Sequence, residues 1–515
     1  MRTSERLARP ADIALLLEGT FPYVRGGVSS WVDQMIRAFP DLTFAVVFIG
    51  SRREDYGDKV YKLHDNIVHF EEHYLYEFDA PPPVRAVEGD AQAFAQMEKM
   101  HDMLRQRNDL QGIGKLIHDV IPMMGDDGQI SEANFLHSRR SWDVISERYK
   151  KYCLDPSFTD YFWTVRIMHK PLWQLARICD QLVPARVYHT VSTGYAGFLG
   201  ALLRFKRQRP LLVSEHGIYT KERKIDLLQG QWIRDNRGLF ERDISRVGYF
   251  QDLWVRFFEA LGRVCYEAAD EITALFEGNR LRQIADGAPE HKTRNTPNGI
   301  PVEKFAPLRA RRPAEVPPVV ALIGRVVPIK DIKTFIRAIF IASRQMPGLQ
   351  GWIVGPEEED PAYAQECRDI AASLGMEDNL RFLGFQNVAD ILPQVGVVAL
   401  SSISEALPLV VLEAYAAGVP VVTTDVGSCR QLVEGLGDED RALGAAGKVV
   451  QIANPEHFAQ AVVDLLEPRT WHAAQRAAIA RVERYYTLGQ MQDAYRHLYE
   501  MLLARSERAT AAGGV

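Results

Sequence analysis

Glu405 and Glu413 stand eight positions apart in ISEALPLVVLEAYAAGVPVVTTDVGS, a run that is otherwise mostly apolar. A carboxylate in such a run is costly to bury unless something pairs with it. VALSS reads as a strand, LPLVVLEAYAAG as a helix from Pro408, and PVVTT as the next strand after Gly418. In a parallel α/β sheet that order puts the Glu405 loop at the carboxyl edge, where ligands bind. Helical side chains lean toward the amino terminus, so Glu413 in the second turn reaches the same space. The helix start adds free N–H groups and a positive dipole end suited to phosphate. A ligand with a phosphate centre and hydroxyl-bearing groups on both sides, such as a nucleotide sugar, meets these features. The same spacing also suits a loop carboxylate and a helix-dipole partner.

ALIGRVVPIKD adds two cations, Arg325 and Lys330, on the loop after another apolar run. Fixed cations beside a helix start can hold a diphosphate and stabilise its charge as a bond to it breaks. FPYVRGGVSSWVDQMI supplies Gly26 and Gly27, which allow close backbone approach, and Ser29 or Ser30 as a cap for the following helix. No G-x-G-x-x-G pattern is present there. His216 in LVSEHGIY follows a strand end, positioned either to meet a sugar or phosphate or to be a satisfied core histidine; His189 in VYHTVSTG is similar. GAAGKVV lacks the first glycine and the Ser/Thr of a P-loop. Asp438 and Asp440 in GDEDR read as solvated, and no His/Cys cluster has metal spacing.

The elements that must position these residues follow from the apolar pattern. DIALLLEG, LTFAVVFIG, ARVYHTV and PLLVSEHG are short β-rich runs, and a second series follows Pro318: VVALIGRV, LQGWIVGP, NLRFLGF, GVVALSS and GVPVVTTDVG. Their continuous apolar character predicts parallel sheets covered on both faces. The chain reads as α/β, two doubly wound Rossmann-like domains over residues 1–300 and 301–480, with a C-terminal helix over 481–515. PNGIPVEKFAPLRARRPAEVPP reads as the linker. Helical insertions are predicted over 85–180, with a break at Pro171, and over 221–260. The closing RATAAGGV reads as disordered.

Composition sets outer bounds. The 515 residues are 47% hydrophobic and 25% charged with a net charge of −6, which does not suggest a general nucleic-acid or membrane binder. Cys153, Cys179, Cys265, Cys367 and Cys429 match neither a zinc site nor a disulfide framework. No stretch reaches the ~18 apolar residues of a membrane span, so a cytoplasmic protein is expected.

With these motifs in hand the chain resembles glycosyltransferase family 4, retaining enzymes of the GT-B fold. The resemblance rests on the E-x7-E pair, GRVVPIK, TPNGIPVEKF, the paired glycines and His216. Pro301 stands where many members carry aspartate. The stretches EGTFPYVRGGVSSWV and NIVHFEEHYLYEF resemble more particularly the cytosolic glycosyltransferases of Pel exopolysaccharide synthesis. The resemblance implies an active site in the interdomain cleft and a UDP-sugar donor, without a metal or other cofactor. The C-terminal helix is implied to return to the N-terminal domain. Glu413 would bind the ribose hydroxyls and Glu405 those of the transferred sugar. Arg325 and Lys330 would hold the diphosphate with the helix start at Leu409 and Val410 and the Gly26–Gly27 backbone. His216 would contact the sugar or leaving phosphate, and Phe385 in RFLGF the base. The acceptor would be a growing polysaccharide, with membrane association only through synthase subunits. A nucleotide-sugar epimerase, or a non-catalytic nucleotide-binding subunit of a polysaccharide synthase, are the alternative readings.

Overall fold

The computed structural model describes residues 10–77, 87–105, 113–153, 156–229 and 248–512. Two compact units emerge, Met1–Ala274 with Arg280–Asn295 and Arg496–Val515, and Leu275–Asn279 with Thr296–Tyr495. The sequence reading places one boundary near residue 300; the chain instead passes between the units more than once.

The first unit holds a seven-stranded sheet in the order β3-β2-β1-β4-β5-β6-β7. Its strands are β1 Ala11–Glu18, β2 Phe44–Gly50, β3 Ile67–Tyr74, β4 Ala185–Thr190, β5 Leu211–Glu215, β6 Glu271–Ala274 and β7 Thr293–Asn295. All pairings are parallel, with Ile13 opposite Phe44 and Val187 in register. Leu15, Leu16, Val46 and Val47 are fully buried, as continuous apolar strands require when helices cover both faces. The sequence order reverses between β1 and β4, a topological switch point.

Among the described residues five α-helices lie between β3 and β4: Ala91–Arg105, Ile113–Val120, Glu132–His137, Arg139–Tyr152 and Phe158–Gln181. The last is continuous, against the predicted break, and contains Pro171. Proline in a helix costs roughly 3 kcal/mol, but here Met168, Leu172, Trp173 and Leu175 are buried beside it. Trp173 Nε1 also donates to the Ile130 carbonyl at 2.8 Å. Packing therefore outweighs the lost backbone bond. Helices Tyr219–Gln229 and Tyr249–Ala268 fall on the second predicted insertion, whose residues 230–247 lie outside the described residues.

The second unit holds a six-stranded sheet in the order β10-β9-β8-β11-β12-β13, again all parallel. The strands are β8 Val319–Ile323, β9 Gln350–Val354, β10 Leu380–Gly384, β11 Val397–Leu400, β12 Val421–Thr424 and β13 Gly447–Val450. β13 comes from the P-loop-like GAAGKVV, which is thereby an ordinary edge strand paired with β12. The expected linker is packed rather than free: helix Val302–Phe305 and the 3-10 turn Ala306–Arg311 bury Phe305 and Leu308. Asp440 corrects another expectation, since it is buried and ion-paired with the fully buried Arg481 at 2.6 Å.

The final helix, Leu488–Ala512, extends through most of the tail expected to be disordered, and 513–515 lie outside the described residues. Its later part joins the first unit. Tyr499 Oη bonds His189 Nδ1 at 2.8 Å, Arg496 pairs with Asp41 and Arg505 with Asp270, both at 2.9 Å. His189 Nε2 bonds Ser214 Oγ at 2.8 Å, and burial pushes its imidazole down to about 3. His189 is thus a satisfied core residue. Among the described residues no helix is long and apolar enough to cross a membrane, and no disulfide joins the buried cysteines.

Candidate functional site

In the second unit the sequence order reverses between β8 and β11, so the loops leaving those strands flank the switch point where ligands bind in open α/β sheets. Lys330 ends the loop after β8, and Glu405 lies in the loop after β11. Their side chains meet at 2.5 Å and are only 19% and 14% exposed. Ser402 Oγ donates to the same Glu405 oxygen at 2.7 Å. Ser401 Oγ donates to the carbonyls of Lys330 and Asp331 at 2.8 and 3.0 Å, and Ile403 N to the Ile329 carbonyl at 2.9 Å. Two loops some seventy residues apart are thus joined by side chain and backbone.

Helix Leu409–Ala416 begins after Pro408, with no side-chain cap on its first turn. One turn further, Glu413 is half-buried and makes no side-chain hydrogen bond among the described residues. Burial raises its carboxyl above the usual range, an effect that the charge of Lys304 only partly offsets. Gly427 packs against the backbone of the Glu405 loop. Its φ is +54°, and a Cβ there would sit 2.2 Å from the Glu405 carbonyl oxygen and 2.5 Å from that of Ala406. Gly427→Ala is therefore expected to displace the Glu405 loop and lower turnover by about tenfold or more, with the unit still folded. Steady-state kinetics beside circular dichroism checks this; unchanged kcat would refute it.

The first unit has its own cavity, about 550 Å³, at the carboxyl ends of β1, β4 and β5. Glu18, Thr20, Ser192, His216, Tyr219 and Arg223 line it. Tyr219 Oη donates to Glu18 at 2.8 Å and accepts from Arg223 at 3.0 Å. Among the described residues Thr20 Oγ1, Ser192 Oγ, His216 Nε2 and Arg223 Nε are buried without a hydrogen-bond partner. Four unsatisfied polar atoms around one cavity mark a place for a polar, hydrogen-bonding guest. His216 is 8% exposed, lies edge-on to the Trp31 ring at 4.6 Å, and is pushed down to about 4 by burial. It is therefore neutral near pH 7, able to donate or accept but bearing no charge.

The predicted residues divide as follows. Lys330 and Glu405 are brought into contact, with Leu409, Val410 and Glu413 on the helix that follows. Arg325 is exposed and turned toward the β9 side, where Glu359 holds its Nη1 at 2.6 and 2.7 Å. Phe385 follows β10, at the sheet edge, and is 80% exposed. Gly26 and Gly27 open the helix Gly27–Ala38, and a Cβ at either would meet nothing within 4 Å. Neither Ser29 nor Ser30 caps that helix: Gly26 is the cap position and Ser29 is buried within the helix. Sequence reasoning missed Ser402, Gly427, Glu359 and the Glu18–Tyr219–Arg223 group. A usable signal was present for Glu18 and Thr20, polar residues immediately past the first buried strand.

Two parallel doubly wound units make this a GT-B fold. The same fold is found in HepE of Anabaena solved with UDP (TM-score 0.55, 15% identity, 95% of this chain and 100% of that one). It is also found in sucrose-phosphate synthase of Thermosynechococcus elongatus (TM-score 0.55, 17% identity, 96% and 100%). Residues 11–291, more than half of the chain, match the family described as Domain of unknown function (DUF3492), and the chain belongs to that family. Residues 317–468 match Glycosyl transferases group 1, so the second unit carries a domain of that group. D-inositol 3-phosphate glycosyltransferases are similar: that of Saccharomonospora viridis is 31% identical over 224 residues, 41% of this chain and 50% of the relative. That of Kineococcus radiotolerans is 29% identical over 241 residues, 43% and 52%. The chain spans about half the length of the curated relatives it matches.

Proposed function

We propose that the chain is a retaining, metal-independent glycosyltransferase that moves a sugar from a UDP-sugar to a growing exopolysaccharide. Narrowly, we read it as a member of the PelF group, the cytoplasmic enzymes of Pel polysaccharide synthesis, meeting the inner membrane through synthase subunits. The observation that carries the reading is the half-buried Lys330–Glu405 pair at the switch point, inside the region matching group 1 glycosyl transferases. A cation so placed neutralises charge that grows on a leaving diphosphate, the largest catalytic demand of such a transfer. Arg325 adds a second cation once the donor competes with Glu359. Glu405 accepts from hydroxyls of the transferred sugar while it holds Lys330, and Glu413 accepts from the ribose. In a retaining reaction the acceptor hydroxyl attacks on the leaving-group face. The departing phosphate oxygen then takes the acceptor proton as the C1–O bond to the donor breaks and the new glycosidic bond forms. The polar cavity around Thr20, Ser192 and His216 suits a hydroxyl-rich acceptor.

The test is consumption of a panel of nucleotide sugars by purified protein, with and without EDTA, beside Glu405→Ala. Turnover of one UDP-sugar, unaffected by chelator and lost in the variant, is expected. Full activity in folded Glu405→Ala would refute the reading. Donor isomerisation without acceptor would instead indicate an epimerase, and UDP binding without turnover a binding subunit.

A further inference from the structure

The helices between β3 and β4, together with helix Tyr249–Ala268 and Phe198, line a second cavity of about 380 Å³. Met97, Met100, Met124, Met168, Phe257 and Leu261 are among its walls. That volume is more than twice the roughly 150 Å³ of an apolar cavity that holds one benzene. It falls within the ~300–1,000 Å³ range of ligand sites lined by apolar side chains and a few placed polar groups. Water would find few partners here, and an empty void of this size forfeits dispersion contacts along its whole lining. Methionines suit a flexible apolar guest because their unbranched, polarisable chains adapt to it. His101 and His169, rings 5.7 Å apart, also line the cavity, and burial lowers both imidazoles.

The polar groups are placed unevenly. Arg105, Arg148, Arg256 and Asp252 are the charged residues of the lining. Asp252 pairs with Arg256 at 2.5 Å, and Asp102 with Arg148 at 3.0 Å. The exposed Arg105 guanidinium lies 3.5 Å over the Tyr152 ring and has no carboxylate partner among the described residues. We propose that this cavity binds a single-chain amphiphile with an acidic head, its apolar tail among the methionines and its head at Arg105. A fatty acid and an isoprenoid phosphate share that chemistry. The proposal does not depend on the transfer reading.

Titration of the purified full chain with dansylated undecanoic acid tests it, since the probe brightens in an apolar site. Saturable binding of one probe per chain is expected, displaced by palmitate if the natural guest is a fatty acid and by farnesyl phosphate if it is an isoprenoid phosphate. Ala260→Phe fills the cavity from its wall and should weaken the probe at least about tenfold in a folded protein. Ala260→Leu does so less severely and serves if the larger variant fails to fold. Arg105→Gln should weaken the acid about tenfold and leave dansylated undecanol unchanged. Absence of saturable binding, unchanged affinity in a folded filled variant, failure of both competitors, or an equal effect of Arg105→Gln on acid and alcohol would each overturn the proposal.

Discussion

Lys330→Ala is expected to lower kcat for donor turnover by about 10²–10³, the loss found when one preorganised charge-stabilising group is removed. The size follows from placement. Lys330 is held by Glu405 and, through its carbonyl, by Ser401, so its charge needs little reorganisation when a diphosphate departs. Truncation also leaves Glu405 half-buried with Ser402 as its remaining partner, and a carboxylate released in that way repels a phosphate. Lys330→Ala and Glu405→Gln should therefore be strongly non-additive, the double variant being little worse than the poorer single one. Single-turnover rates at saturating donor separate the effect from weakened binding. A Lys330→Ala protein within threefold of wild type would remove Lys330 from the chemistry.

Arg481→Ala is expected to destabilise the second unit by about 3–5 kcal/mol. Arg481 is 0% exposed and its guanidinium is fully engaged. Nε donates to Asp440 at 2.6 Å, Nη1 to the Val433 carbonyl at 2.9 Å, and Nη2 to the carbonyls of Asp440 and Gly444 at 2.8 and 3.0 Å. Without it Asp440 stays buried with only the Leu436 N–H, at 2.8 Å. The carbonyls of Leu432, Val433, Asp440 and Gly444 lose a donor as well. Arg481→Met combined with Asp440→Ala should recover much of the loss, because no uncompensated charge remains. Hydrogen exchange on peptides of the second unit reads the effect without requiring the whole chain to unfold as one transition. Exchange unchanged in Arg481→Ala would show that the pair contributes nothing net.

The candidate site was readable where chemistry-bearing residues stand directly past a buried strand. Lys330, Glu405 and His216 were singled out for that reason, and two doubly wound α/β domains followed from the two series of apolar runs. What escaped depends on partners distant in sequence. Nothing local reveals that Glu359 takes Arg325, that Gly427 lies under the Glu405 carbonyl, or that Arg481 claims Asp440 and turns an apparently solvated acid into a core residue. Short or half-exposed strands also escaped. EITA, TRN and GKVV are too brief for periodicity to register, and the charged IVHFEEHY is an edge strand. Pro171 misled because tertiary burial overrode a local preference.

The final helix has a consequence for heredity and engineering. Tyr499 stands beneath the first sheet, 5.6 Å from Phe39 and bonded to His189, although some two hundred residues of the other unit separate it from β7. A gene fragment ending near Asn295 would encode a sheet stripped of that cover. Recombination between relatives at one crossover would pair a sheet with a foreign final helix, so functional chimeras should need two breakpoints. The first sheet and the final helix are therefore expected to be inherited as a matched pair.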